Sequence, residues 1–141
     1  MNEFTIIIDD LISLFTEMIN LEQSKFESIK NNRITHLQDC INKEQAAILK
    51  LRGLDKKREA CQEKLGYKGY TFKEILSAIP DENRNEVQKQ FNKLTRQIVQ
   101  FRKVCESSSS LLAIRLHSIE RNINQQNYKM NQKKSQWEVT L

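Results

Sequence analysis

The 141 residues carry 38% apolar and 29% charged side chains, a formal charge of +5, three Gly, one Pro and three Cys. Leu, Ile, Val and Phe supply 39 of them, about 28%, well above the roughly 20% below which a chain stays disordered. Four Gly and Pro residues cannot supply the tight turns of a sheet protein this size, so most all-β and α/β folds are excluded and long helices remain.

The first helix is predicted over about residues 3–30. Phe4, Ile8, Leu11, Phe15, Met18, Lys25 and Ile29 keep a 4-3 alternation, with Glu22 taking one slot of the stripe. Ile7, Leu14 and Leu21 broaden it. A face this wide belongs to a helix packed against two neighbours. Asn31-Asn32 interrupts the helix with residues that tolerate turn geometry. Thr35 followed by Gln38 reads as a capping box that starts a second helix, about 34–65. Its stripe is Leu37, Ile41, Ile48, Leu51, Leu54, Cys61 and Leu65. Gly53 lies inside, at a cost of about 1 kcal/mol relative to Ala, and leaves room for a close contact. Gly66 stands where a left-handed C-cap favours Gly. Two rods of about 45 Å joined by so short a break must lie antiparallel.

Residues 66–82 form a connector. Thr71 and Glu74 make a further capping box for a short helix, about 72–79, with Phe72, Ile75, Leu76 and Ile79 on one face. Pro80 stops it, and Asp81 is placed to cap the next helix. This crossover is expected to cover one end of the hairpin. The third long helix is predicted over about 82–125, on Val87, Phe91, Leu94, Ile98, Phe101, Leu112, Leu116, Ile119 and Ile123. Ser107 to Ser110 weaken helix propensity without breaking the helix, and allow a bend or a close approach. A polar tail, 126–141, comes last and is expected to fray. The whole reads as a single all-α domain, an elongated antiparallel bundle of three long helices with a short connector helix.

The charge is uneven. Residues 1–30 hold six acidic and two basic side chains, while residues 71–141 hold 12 basic and 7 acidic. That asymmetry suits packing within one molecule and lacks the clustered Lys and Arg of a nucleic-acid footprint. Cys40, Cys61 and Cys105 have no zinc-ligand spacing and fit a reducing compartment as small buried hydrophobes. Acids flank the apolar residues 4–8, so no signal peptide is read there, and no run approaches the roughly 20 residues that span a bilayer. A cytoplasmic protein without membrane insertion is expected. His36 and His117 are the only histidines, and each reads as solvated. No nucleophile, phosphate-loop or metal motif accompanies them, so neither an enzyme nor a cofactor is expected.

What remains is a surface for another helix. Leu111, Leu112, Ile114, Leu116, Ile119 and Ile123 form a broad apolar band. The first two helices are expected to cover the third only to about residue 105, which leaves the band to a partner protein or a second copy. The other reading folds it back into the same core.

The layout resembles the FlgN-type flagellar export chaperones. The resemblance rests on the acidic first helix, the break at Asn31-Asn32, and then Ile34, Leu37, Lys43, Ile48, Leu49, Leu54 and Arg58. Gly66 with Phe72, Ile75 and Leu76, and a long amphipathic third helix, complete it. It implies a cytoplasmic chaperone of flagellar type III secretion. Such a chaperone binds the C-terminal helical region of hook-associated proteins, prevents their premature assembly or degradation, and passes them to the export apparatus. It also implies that the grip lies on Leu111, Leu112, Ile114, Leu116, Ile119, Ile123, Tyr128 and Met130. Ser108 and Ser109 stand where that family tends to carry Asn, and the pI near 9.2 departs from its many acidic members. The alternative is a self-associating coiled-coil adaptor, and a homodimer is compatible with either reading.

Overall fold

The computed structural model describes the backbone of residues 1–140 and the side chains of residues 1–129. Four helices occur in order: α1 (Asn2–Lys30), α2 (Ile34–Lys64), α3 (Phe72–Ala78) and α4 (Asp81–Thr140). The wide apolar face of α1 puts it in the middle. Both α2 and α4 pack on it, while their own backbones nowhere come within 8 Å of each other among the described residues. The long helices run up, down and up. Thus α4 lies parallel to α1, and Gln90 meets Thr5, Ser108 meets Glu22 and Arg115 meets Lys30.

The helix ends come from local chemistry. Asn32 sits at φ +56, the Arg33 N–H donates to the Ser28 carbonyl, and the Asn32 N–H donates to that of Ile29. This pair of bonds satisfies carbonyls that the end of α1 would otherwise leave open. Gly66 at φ +83 repeats the arrangement, with Tyr67 N–H on the Gln62 carbonyl and Gly66 N–H on that of Glu63. The expected Thr35 capping box does not form. The turn delivers the chain straight into α2, Arg33 holds the cap position without a side-chain bond, and Thr35 is already helical. Nor does Gly53 mark a close approach, because nothing lies within 4 Å of where its Cβ would stand.

The connector closes one end of the hairpin. Thr71 Oγ1 accepts from the Glu74 N–H at 3.2 Å, which is the N-cap half of the expected capping box. Phe72 stacks on Phe91 with ring centroids 4.2 Å apart, and Phe91 meets Phe4 edge-on at 6.1 Å. Ile75 and Ile79 are buried in the same cluster as Phe4, Ile8, Val87 and Leu94. Each such side chain contributes about 1.5–3 kcal/mol on full burial. Asp81 is the first residue of α4 and not its cap. It pairs with Arg84 at 2.6 Å, and Arg84 also donates to the Leu76 and Ile79 carbonyls at the end of α3.

Two expectations about the last helix are corrected. It continues to Thr140 and does not stop near residue 125. No Gly or Pro occurs after Pro80, so fading apolar spacing ends the packing face without ending the helix. Coverage by α1 also reaches beyond residue 105. Ser108 is fully buried with its hydroxyl donating to the Glu22 carbonyl, and Arg115 donates to that of Lys30. The serine tract thus provides the close approach.

Candidate protein-binding site

At about 100° per residue, Leu112, Leu116, Ile119 and Ile123 continue the same face of α4 that carries Val87, Leu94, Phe101 and Ser108. Upstream that face is covered. Val87, Leu94 and Ser108 are buried and Phe101 is partly so. Downstream it opens: Leu112 is half-buried, while Leu116, Ile119 and Ile123 are 51%, 53% and 50% exposed. The change has a simple cause. The Arg115 guanidinium bonds to the carbonyl of Lys30 at 3.0 Å, and Lys30 is the last residue of α1. Beyond that level α4 overhangs the bundle, for about 21 Å over residues 116–129.

The residues expected to grip a partner therefore divide. Leu112, Leu116, Ile119 and Ile123 form one stripe. Leu111 lies to one side, half-buried. Ile114 and Tyr128 are exposed, but helical register puts them on roughly the opposite side. The side chain of Met130 lies outside the described residues. The band does not fold back onto the core.

A second feature sits just before the overhang. Glu22 is 1% exposed, and neither of its carboxylate oxygens accepts a hydrogen bond among the described residues. Lys25 Nζ lies 3.5 Å from Glu22 and 3.1 Å from Glu44 on α2. Burial, and then the neighbouring Glu44 carboxylate, raises the pKa of Glu22 above the ordinary carboxyl value. Burial alone would depress the Lys25 ammonium, but the two carboxylates outweigh it and hold its pKa up. On α4 the Cys105 thiol is pushed up to about 11 by burial and by the same carboxylates. The one sequence signal for this layer is an acid followed by a Lys in an apolar stripe.

The remaining titratable candidates form no reaction centre. His36 Nδ1 shares a hydrogen bond with Ser28 Oγ, and His117 is exposed. Cys40 and Cys61 are buried and unpaired. No cluster of three His, Cys, Asp or Glu among the described residues could hold a metal ion. No helix there is long and apolar enough to cross a membrane.

The last helix of the three-helix bundle carries its apolar face past the other two, an exposed stripe of the kind that marks interaction surfaces. The family model for the FlgN protein matches residues 1–135, and the chain belongs to that family, the flagellar export chaperones. No curated protein and no solved structure matches it.

Proposed function

We propose that this chain is a cytoplasmic chaperone that holds the C-terminal helical region of hook-associated proteins before flagellar type III export, along the overhang of α4. One observation carries the reading: the apolar face of α4 runs on, half exposed, past the end of the helix that covers it upstream. An amphipathic cargo helix would lay residues at i, i+3, i+4 and i+7 on Leu112, Leu116, Ile119 and Ile123, in the helix-in-groove mode. That would hide the cargo face that otherwise polymerises or attracts proteases. A contact of about three turns is small for a permanent interface, so affinity stays moderate and the export apparatus can take the cargo over. No nucleotide is needed for such an exchange.

The test is capture of C-terminal segments of hook-associated proteins by the full chain and by Leu116→Asp/Ile119→Asp. The variant should lose capture and keep its melting temperature, because both positions are half exposed. Undiminished capture refutes the site, and no capture by the unaltered chain refutes the cargo class. A concentration-dependent dimer in sedimentation, lost in the same variant without any cargo bound, would assign the stripe to self-association.

A further inference from the structure

The layer where α1, α2 and α4 meet beneath the overhang is electrostatically unbalanced. The buried side chains of Gln62, Ser28 and Ser108 have hydrogen-bond partners, whereas both Glu22 oxygens have none. Two carboxylates, Glu22 and Glu44, face one ammonium, Lys25. With both acids ionised, one ammonium faces two negative charges, and the Glu22 charge lies where water does not reach it, while Lys25 and Glu44 stay partly exposed. The groups facing Glu22 are Lys25 from α1, Glu44 from α2, and Cys105 with the Ser108 hydroxyl from α4. Cys105 remains a neutral thiol at ordinary pH. A proton on Glu22 removes the excess charge and creates an O–H donor beside a second carboxylate.

We propose that the Glu22 layer is a proton-operated clasp: uptake of one proton by Glu22 tightens α4 on α1 at Ser108 and steadies the root of the overhang. The clasp is a property of the ligand-free chain, while its role as a regulator of partner binding rests on the function proposed above. A steadier root is a better preorganised surface, so the grip strengthens as pH falls. Linkage fixes the sign. The closed layer raises the Glu22 pKa, so its contribution is complete below the ordinary carboxyl value and is lost as pH rises through the raised one.

The experiment is hydrogen exchange on the full ligand-free chain from about pH 5 to 8, corrected for intrinsic rates, read over residues 102–112. Protection should fall by up to about tenfold per pH unit as Glu22 ionises, the most that one proton allows. Glu22→Gln should keep the protection and lose the slope, and Glu44→Gln should move the midpoint to lower pH. Equal slopes in Glu22→Gln and the unaltered chain overturn the clasp. If Glu22→Gln does not fold, the carboxyl carbon resonance of Glu22 in the unaltered chain decides, and a midpoint at or below the ordinary carboxyl value overturns it. Affinity for a hook-associated C-terminal peptide separates the two proposals. A flat affinity beside sloping exchange overturns the regulatory role alone, and no binding at any pH overturns the function while the exchange profile still tests the clasp.

Discussion

Leu94 and Leu116 lie on the same face of one helix, about six turns apart, and the same substitution should do different things at each. Leu94 is 2% exposed and packs in the cluster with Phe4, Ile8 and Phe91. Truncation to Ala there removes buried methyl groups and leaves a cavity, at a cost of about 2–5 kcal/mol. With a urea slope of about 2 kcal/mol/M, the unfolding midpoint should drop by about 1–2.5 M. Leu116 is 51% exposed, so its truncation should change stability by no more than about 0.5 kcal/mol, or about 0.25 M. Its cost should fall on binding. Covering the open half of a Leu yields about half of the 1.5–3 kcal/mol of full burial, which is about four- to twelvefold in Kd. Urea unfolding followed by circular dichroism, with calorimetric titration of a cargo peptide, measures both. A loss of more than about 1 kcal/mol of stability in Leu116→Ala would refute the overhang, since it would mean that the stripe packs within the protein.

The remaining predictions concern the backbone and a thiol. Gly66→Ala should destabilise by about 1–2 kcal/mol, through its left-handed φ alone because its Cβ would meet nothing, whereas Gly53→Ala in the exposed helix should stabilise by about 0.5–1 kcal/mol. Thermal melts of the two variants should therefore shift in opposite directions, and a shared sign would contradict the backbone argument. Cys105, pushed up to about 11 from an ordinary 9.0, should react with iodoacetamide at pH 8 about a hundredfold more slowly folded than unfolded, despite partial exposure. Alkylation at the rate of the unfolded chain would show that burial and the neighbouring carboxylates do not hold this thiol up.

Features that depend on a few neighbouring residues were legible in the chain. Asn32, Gly66, Thr71 and Pro80 each act within about five positions, and the four element boundaries they mark fall within a residue of expectation. Thr35 fails for the same local reason, because the turn before it already supplies the geometry that a cap would have supplied. The stripe from Leu112 to Ile123 was legible as periodicity, since the 3.6-residue repeat records a face whether or not anything covers it. The same repeat puts Ile114 and Tyr128 on the far side of the helix, away from this face.

The sequence by itself therefore determined that the chain is helical, where its connections fall and which face of each helix is apolar. Only the tertiary structure decided which faces are covered. Coverage depends on where α1 ends relative to α4, a comparison between residues about 85 apart that no local pattern encodes. The Glu22 layer is the sharper case. In sequence it is one acid in an apolar stripe, and its burial, with Lys25 shared between two carboxylates, exists because α2 and α4 bring Glu44 and Ser108 to it from either side. Burial and charge balance belong to the assembled layer, and neither can be read from any one of the helices that form it.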